Sequence, residues 1–162
     1  LPHPDALIKS QDVQLFLISV LGIIIEAEKN NLNLKYLKPL ILKELDKIHK
    51  DTKKTAGSFM AVSDDERHRL RKKLKRLRYA LEFFKDLCHA GRYKEFLKKL
   101  EGVSDALGQY NDICVALEKI QSLVEQDRNV FFAQGWLKAE QARVLVLSNK
   151  ELKTFYADKK AW

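Results

Sequence analysis

The chain is poor in the residues that interrupt regular structure or cross-link it. Its 162 residues include 6 glycines, 3 prolines, 2 cysteines and 1 methionine. This scarcity excludes collagen-like and low-complexity chains, and it excludes a small fold held together by disulfides. Hydrophobic residues make up 46% of the chain and charged residues 32%. At the length of one domain, these proportions predict a single, mostly helical globular domain over residues 1–162.

The sequence also lacks the common motifs of catalysis. It contains no P-loop, no His-Glu-x-x-His, no Cys-x-x-Cys and no Gly-x-Ser-x-Gly segment. No histidine has a second histidine or a cysteine three or four residues away, as a metal site on one helix face would need; the histidines are His3, His49, His68 and His89. We therefore expect no enzymatic activity, no metal and no cofactor.

No apolar run is long enough to cross a membrane. The most apolar stretch, Leu15–Ile25, has eleven residues, whereas a membrane-spanning helix needs about 20. We predict a buried helix over residues 5–28, which would expose apolar surface or pair with a second copy if its partners were missing. Cys88 and Cys114 fit small buried hydrophobic positions. Nothing requires an oxidising compartment, so we expect a cytoplasmic protein.

What the chain does have is one strongly basic helix. Eight of the twelve residues in Arg67–Arg78 are Lys or Arg and none is acidic, so this segment accounts for the whole net charge of +8. Ser63–Glu66 supplies a capping box and places acidic residues at the positive end of the helix dipole. We predict a helix over residues 64–89 that ends before Gly91. The pI of about 9.4 favours an acidic partner.

Two stripes run along this helix. An apolar stripe repeats at steps of four and three and faces a neighbouring helix; it contains Leu70, Leu74, Leu77, Leu81, Phe84 and Cys88. A basic stripe beside it stays within about 80° of arc; it contains His68, Arg71, Lys75 and Arg78, with Glu82 at its end.

The basic stripe has two interpretations. A solvated charged face is the ordinary one. However, like-charged residues four apart, such as Arg71 and Lys75, each cost a few tenths of a kcal/mol, and arginine forks suit bidentate phosphate contacts. We favour a groove between helices that holds an anionic ligand.

The helix before the basic one is predicted over residues 34–55, with Pro39 causing a kink or a later start. Its expected apolar seam is Leu37, Ile41, Leu45 and Ile48. It also carries a row of lysines at steps of four and three: Lys43, Lys47, Lys50 and Lys54. A solvated face is the favoured interpretation of this row, and a second wall of the anion groove is the alternative.

Downstream of the basic helix, we predict a helix over residues 92–106, a turn over 107–112 and a helix to Gln126. Asn111 would cap the third of these segments, and Asp112 would either share that role or orient a groove arginine. The last helix, over residues 127–159, includes Gly135, which predicts close approach of a neighbouring helix. The residues that it is expected to bury are Phe131, Phe132, Trp136, Val144, Leu147, Phe155 and Tyr156. The fold class is thus an all-α, antiparallel bundle of about six helices.

The basic helix resembles a known signature. His68-x-x-Arg71-x-x-x-Lys75-x-x-Arg78-Tyr79-x-x-Glu82-Phe83 is similar to the signature helix of the CHAD family, the conserved histidine α-helical domain. Further segments resemble later parts of that family: Leu97-Lys98-x-Leu100, Leu107-Gly108-x-x-Asn111-Asp112, Gly135-Trp136-Leu137 and the closing Trp162. Ser104 stands where members tend to have Gln.

The resemblance implies a fold and a ligand. Members have two related helical halves, each with its own signature, and bind inorganic polyphosphate, often beside triphosphate tunnel enzymes. One signature is present here, so residues 60–162 correspond to the second half and residues 1–59 to the junction helices. The earlier half would lie in a longer chain, as the absence of a start methionine at Leu1 also suggests.

The function predicted from these observations is non-catalytic binding of linear polyphosphate. The expected ligand contacts are His68, Arg71, Lys72, Lys75, Arg78 and Tyr79, with Lys98 added by the resemblance and Lys50 and Lys54 by the lysine row. Nonspecific nucleic-acid binding is one alternative. A protein-interaction bundle that uses the apolar first helix is another, and a triphosphate hydrolase would need acidic metal ligands that this stretch does not show.

Overall fold

The computed structural model describes residues 34–124 and 130–162, together with the isolated positions 18, 19, 21, 22 and 25. Residues 34–124 and 130–162 contain four α-helices: α1 (Leu34–Gly57), α2 (Asp64–Phe83), α3 (Ala90–Val124) and α4 (Val130–Ala157). A short 3-10 helix, Lys85–Leu87, lies between α2 and α3. The described residues contain no strand, which confirms the all-α class. The chain divides into two compact units, Leu1–Lys43 and Glu44–Trp162.

In the unit Glu44–Trp162, successive helices run antiparallel. Lys73 of α2 pairs with Asp51 of α1, and His68 of α2 lies against Asn111 of α3. Between α3 and α4, the Gln141 amide donates to the Cys114 sulfur at 3.2 Å. Between α4 and α1, the Tyr156 ring packs against the His49 ring. These contacts order the helices α1, α2, α3, α4 around one core. The predicted count of about six helices is not confirmed.

The predicted start of α2 and the four leucines of its apolar stripe are confirmed, whereas Phe84 and Cys88 lie beyond the helix and are half-buried. The Ser63 side chain accepts from the Glu66 amide at 3.3 Å, and Glu66 accepts in return from the Ser63 amide at 3.0 Å. These bonds lower the pKa of Glu66. The four leucines of the stripe are each at most 1% exposed; they are Leu70, Leu74, Leu77 and Leu81.

The predicted end of α2 at His89 is wrong, because the α-helix stops at Phe83. Phe84 ends the helix, and a 3-10 turn leads to Cys88 in an extended conformation. The His89 amide then donates to the Ala161 carbonyl at 2.8 Å. A contact with the end of the chain, invisible to local sequence patterns, therefore redirects the backbone, and Gly91 falls in the first turn of α3.

The predicted turn over residues 107–112 is also wrong, because α3 is one helix of 35 residues. Its buried residues continue at steps of four and three through the proposed turn: Phe96, Leu100, Val103, Leu107 and Tyr110. Glycine inside a helix costs about 1 kcal/mol relative to alanine, but burying a side chain the size of leucine contributes about 1.5–3 kcal/mol. Burial of Leu107 and Tyr110 therefore outweighs Gly108. Asn111 is no helix cap, and Asp112 is exposed in mid-helix without an ion pair among the described residues.

Gly108 offers a direct test of this continuity. A Cβ built at Gly108 meets no atom within 4 Å, so alanine fits a helix here without a clash. We expect Gly108→Ala to raise the free energy of unfolding by about 0.5–1 kcal/mol, because alanine loses less backbone entropy on folding. Urea denaturation of both proteins measures the change. Destabilisation by Gly108→Ala would support a turn at this position instead.

The buried face of α1 differs from the predicted seam. Leu45 is buried as expected, but the stripe continues through His49, Thr52 and Ala56 rather than through Ile48, which is half-buried. The Thr52 hydroxyl donates within the helix to the Ile48 carbonyl at 2.8 Å, which satisfies it in the core. The helix includes Pro39, so the predicted later start is not observed.

The end of the chain is fixed against α1 by an aromatic cluster. The His49 ring lies 5.2 Å from Tyr156 and 5.7 Å from Trp162, measured between ring centroids. The Trp162 indole donates to an Asp46 carboxylate oxygen at 2.8 Å, and Lys160 contacts the same oxygen. The closing tryptophan thus completes the core beside α1 and α4.

The prediction for the buried face of α4 is wrong in its first half. Val144 and Phe155 are buried, and Leu147 and Tyr156 are half-buried. In contrast, the exposed fractions of Phe131, Phe132 and Trp136 are 57%, 85% and 62%. The predicted close approach at Gly135 is wrong too, because nothing lies within 4 Å of a Cβ built there. Apolar residue type alone predicted burial here, and no described helix covers that side.

The unit Leu1–Lys43 is described at few positions. Ile18, Leu21 and Ile25 are helical, and each is at least 50% exposed. Most of the predicted first helix lies outside the described residues. None of the helices in the described part of the chain combines the length and apolar character that crossing a membrane requires. Cys88 and Cys114 are free, and burial raises the pKa of both thiols.

His49 makes folding stability depend on pH. Burial, followed by the charges of Lys160 and Lys53, lowers its pKa from 6.5 to about 4, with Asp46 opposing the shift. Below about pH 6.5 the unfolded chain binds a proton that the folded protein resists, so stability is lost as the pH falls toward 4. We expect a loss of about 2 kcal/mol from this group between pH 7 and 5, measured by urea denaturation.

His49→Gln is the control for this pH effect. The variant has no titrating imidazole in the core, so its stability should change less between the same two pH values, even if its stability at neutral pH is lower. Equal losses in both proteins would show that other groups carry the pH dependence.

Candidate anion-binding site

The contacts of α2 on its two flanks determine where its basic stripe lies. His68 and Arg67 contact α3, whereas Lys73 pairs with Asp51 of α1. At about 100° per residue, Lys73 lies roughly 160° around the helix from Lys75. The basic stripe of His68, Arg71, Lys75 and Arg78 therefore lies on the flank of α2 toward α3, and the opposite flank faces α1.

Arg67 belongs to the basic run but has a structural role. Its side chain is only 11% exposed. The guanidinium donates to the Phe59 and Met60 carbonyls at 3.2 Å each, to the Tyr110 hydroxyl at 3.2 Å and to Asp64 at 2.6 Å. It also lies 5.5 Å from the centroids of the Phe59 and Tyr110 rings. Arg67 thus joins the loop after α1, the start of α2 and the middle of α3.

The sequence contained a signal for this role. Arg67, Leu70, Leu74, Leu77 and Leu81 follow one another at steps of three and four, so Arg67 lies on the buried stripe rather than on the basic one. Tyr110 donates its hydroxyl proton to Asp64 at 2.6 Å, and burial raises the pKa of Tyr110. Arg67, Asp64 and Tyr110 therefore form one hydrogen-bonded group.

Substitution of Arg67 should affect stability far more than ligand binding. Arg67→Ala removes four hydrogen bonds and leaves two part-buried acceptors, the Phe59 carbonyl and the Tyr110 hydroxyl, without this donor, so we expect a loss of about 2–4 kcal/mol in the free energy of unfolding. Arg69→Ala is the matched control, because Arg69 is exposed and makes only a 3.4 Å contact with the Asp65 carbonyl. Similar urea midpoints for the two variants would contradict the structural role of Arg67.

The other cations of the stripe are held beside the core with unused donors. Arg71, Lys75 and Arg78 are half-buried. Among the described residues, Arg71 and Lys75 have no carboxylate partner, and Arg78 has Glu82 at 3.6 Å. The Nε atom of Arg71 is shielded from solvent and lacks an acceptor, whereas the Nε atom of Arg78 is shielded and has only the Glu82 oxygen at 3.6 Å, beyond hydrogen-bond distance. Unsatisfied donors of this kind are rare and often mark a place for a bound ion or water.

Two more predicted contacts are exposed on the same helix. The Tyr79 side chain lies beneath the Arg78 guanidinium, 5.1 Å from carbon to ring centroid, and is 49% exposed. Lys72 is fully on the solvent side of the stripe. Both therefore lie at the rim of the stripe rather than in its floor.

The described contacts do not link the remaining predicted residues to the stripe. Lys98 is exposed and lies about 140° around α3 from Asn111. Lys50 and Lys54 are exposed on α1, which packs on the opposite flank of α2. This arrangement favours the solvated-face interpretation of the lysine row. Ligand contact by these three lysines stays a prediction, and no described contact supports it.

Asn111 is a site residue that the sequence reasoning assigned to the wrong role. Instead of capping a helix, its side-chain oxygen lies 2.6 Å from Nδ1 of His68. The spacing of Ser104, Gly108 and Asn111 at four and three places them on one flank of α3. Reading α3 as continuous is the step that would have placed Asn111 beside the basic helix.

Small residues on that flank leave room beside the stripe. The Ser104 hydroxyl is turned inward to the Leu100 carbonyl at 2.7 Å, and the space above Gly108 is open. A cleft of about 200 Å³ lies at the His68 end, lined in part by Asp64, Asp65 and Glu118. Its carboxylates make the cleft itself unfavourable for an anion.

Acidic side chains also lie at the other end of the stripe. Burial, followed by the charges of Glu82 and Glu101 among others, raises the pKa of Tyr93, so both carboxylates lie near Tyr93 at the start of α3. The positive stretch is therefore bounded by carboxylates at both ends. From His68 to Arg78 it spans about 15 Å at ~1.5 Å per residue. In the described part of the chain, no three His, Cys, Asp or Glu side chains are grouped to hold a metal ion.

The basic helix α2 lies within a match to a known protein family. The model of the CHAD domain matches residues 6–121, which is well over half of the chain and includes all of α2. The chain belongs to the CHAD family. The match confirms the resemblance seen in the basic helix, and it extends upstream to the apolar segment near the start of the chain. No curated protein and no solved structure matches the chain.

Proposed function

We propose that this CHAD domain binds inorganic polyphosphate, or a closely related phosphate polymer, along the basic stripe of α2 without cleaving it. His68, Arg71, Lys75 and Arg78 provide the principal contacts, and Tyr79 and Lys72 form the rim. Membership of the CHAD family supports a polyanionic ligand. The free thiols of Cys88 and Cys114 are compatible with the reducing cytoplasm, where we place the protein.

One observation carries the proposal: Arg71 and Lys75, on the flank of α2 toward α3, are positioned but not neutralised by a described carboxylate. On the same helix, Arg67 is paired with Asp64 and Lys73 with Asp51. Arg71 and Lys75 have no such partner among the described residues, although both are half-buried beside a row of leucines. A protein that used its charges only for stability would pair these as well. Unpaired, half-buried cations are suited to receive oxyanions.

The chemistry of the stripe favours a polymer over a single phosphate. Each charge-assisted hydrogen bond contributes about 1.5–3 kcal/mol at best, and less where solvent reaches the pair. One phosphate would contact one or two of these cations. A chain that runs along the stripe engages all of them, and each later contact forms within the same complex. Affinity should therefore rise with chain length and level off once the positive stretch of about 15 Å is filled.

Binding of this kind must depend strongly on salt. When Lys and Arg side chains of the protein contact the phosphates, they release counterions from the polymer. The logarithm of the binding constant therefore falls linearly with the logarithm of salt concentration. Nucleic acid is the competing ligand, because its phosphates would respond to the same charges. Polyphosphate carries its charges closer together along the chain than nucleic acid does, so more of them fall within the positive stretch of about 15 Å. Displacement of polyphosphate by single-stranded DNA at equal phosphate concentration would contradict selectivity for polyphosphate.

Replacement of two stripe arginines by glutamine should weaken binding and leave the fold intact. Glutamine has nearly the helix propensity of arginine, so Arg71→Gln with Arg78→Gln removes charge with little effect on helix stability. We expect at least a tenfold loss of polyphosphate affinity by titration calorimetry. We also expect the salt dependence to fall by about one unit of slope for each contact removed.

Arg69→Gln with Arg76→Gln is the matched control for that variant. Arg69 and Arg76 lie on the same helix and are seven residues apart, as Arg71 and Arg78 are, so the control variant loses the same charge. Both control residues are exposed and lie outside the stripe. Binding should change only by the weaker long-range effect of charge. Equal losses in the two double variants would show that net charge rather than the stripe determines binding, and loss of circular dichroism would show that Arg71 and Arg78 are structural.

A further inference from the structure

The contact between His68 and Asn111 determines which imidazole nitrogen carries the proton. The Nδ1 atom of His68 lies 2.6 Å from Oδ1 of Asn111. A carbonyl oxygen accepts hydrogen bonds and cannot donate them, so Nδ1 must be the protonated nitrogen in this contact. Neutral imidazole carries one N–H group. The neutral ring is therefore held as the Nδ1–H form, with Nε2 bare.

The bare nitrogen is the one available to a ligand. Nε2 lies on the opposite side of the ring from Asn111, and no described residue makes a hydrogen bond to it. An unprotonated Nε2 can only accept, so it cannot bind a phosphate oxygen, which is also an acceptor. When the ring gains a proton, Nε2 becomes a charged donor at the start of the basic stripe.

We propose that Asn111 is a positioning residue that makes phosphate binding at the stripe depend on the protonation of His68. The inference rests on the proposed function for its ligand, and on the 2.6 Å contact for its mechanism. With a neutral His68 ring, Arg71, Lys75 and Arg78 bind the polymer through their charges. Once the ring is protonated His68 joins them as a charged donor, so affinity rises as pH falls.

The surroundings of His68 contain charges of both signs. Asp64, which could otherwise compete for a ring proton, already accepts from Arg67 and from Tyr110. The titratable and charged groups that line the cleft or lie within a helix turn of His68 are Asp64, Asp65, Arg67, Arg71 and Lys72 on α2, and Tyr110, Cys114 and Glu118 on α3. Phosphates inside a long polyphosphate chain keep one negative charge across the neutral and mildly acidic range. The pH dependence of binding therefore comes from groups of the protein rather than from the polymer.

The first test reads the tautomer without a ligand. Long-range nitrogen–proton NMR spectra of the ¹⁵N-labelled chain distinguish the two forms of neutral His68, with His68→Gln used to assign the signals. We expect the Nδ1–H form, although free histidine favours Nε2–H. Observation of the Nε2–H form would mean that the amide group of Asn111 faces the ring, and it would overturn the proposal.

The second test measures binding of long-chain sodium polyphosphate by calorimetry at about pH 8 and about pH 6, on either side of the usual histidine pKa. We expect the chain to bind about three- to tenfold more tightly at the lower pH. His68→Gln should remove this difference. Asn111→Asp keeps the acceptor and adds a negative charge, so it should retain the difference and shift it to higher pH.

Asn111→Ala separates positioning from mere stability. Without the acceptor, the neutral ring reverts to the Nε2–H form and donates at both pH values, so the ratio of the two affinities should fall to the smaller difference between a charged and a neutral donor. A structural role alone would lower both affinities equally and preserve the ratio, which would overturn the proposal. If polyphosphate binds at neither pH, the proposed function fails, and with it the proton-linked step, while the NMR result still decides what Asn111 does to His68.

Discussion

The burial of four leucines on one face of α2 is the constraint from which the site follows. Each is at most 1% exposed, and together they contribute roughly 6–12 kcal/mol at about 1.5–3 kcal/mol each. Like-charged pairs four residues apart on the same helix cost only a few tenths of a kcal/mol each. The leucines therefore determine how α2 is rotated, and the helix tolerates its cations wherever that rotation places them.

Arg67 completes this constraint by fixing α2 along its axis. Its bonds to the Phe59 and Met60 carbonyls and to Tyr110 hold the start of the helix against the preceding loop and against α3. With rotation and position both fixed, His68 comes to lie beside Asn111. The residues that follow at steps of three and four must then lie along the small residues of α3. The basic stripe is thus a consequence of packing, and its proposed chemistry comes from Arg71 and Lys75, which packing leaves without a described carboxylate partner.

The sequence predicted this stripe well because periodicity on one helix is a local property. The start of α2, its buried leucines and the neighbouring row of cations all depend on spacing within about twenty residues. The roles of Arg67 and Arg71 could not be separated by residue type, because the difference lies in carbonyl groups supplied by the loop before α2. The family resemblance was confirmed, and it rested on this same helix.

The failures occurred where a distant contact outweighs local preference. Gly108 suggested a turn, but burial of Leu107 and Tyr110 keeps α3 helical. The α2–α3 connection is shaped by a hydrogen bond to Ala161, more than seventy residues away in sequence. Phe132 and Trp136 were expected in the core because aromatic residues usually are, yet no described helix packs over that side of α4. Each error follows from information that a local pattern does not contain.

The most direct test of the central claim is to locate bound polyphosphate by NMR. Side-chain and amide signals of the labelled chain would be followed during titration with polyphosphate at moderate salt. The account predicts the largest changes at Arg71, Lys75 and Arg78 and on the flank of α3 that carries Gly108 and Asn111, with little change at Lys50 and Lys54. Changes centred on the lysine row of α1, or spread evenly over all exposed cations, would contradict it.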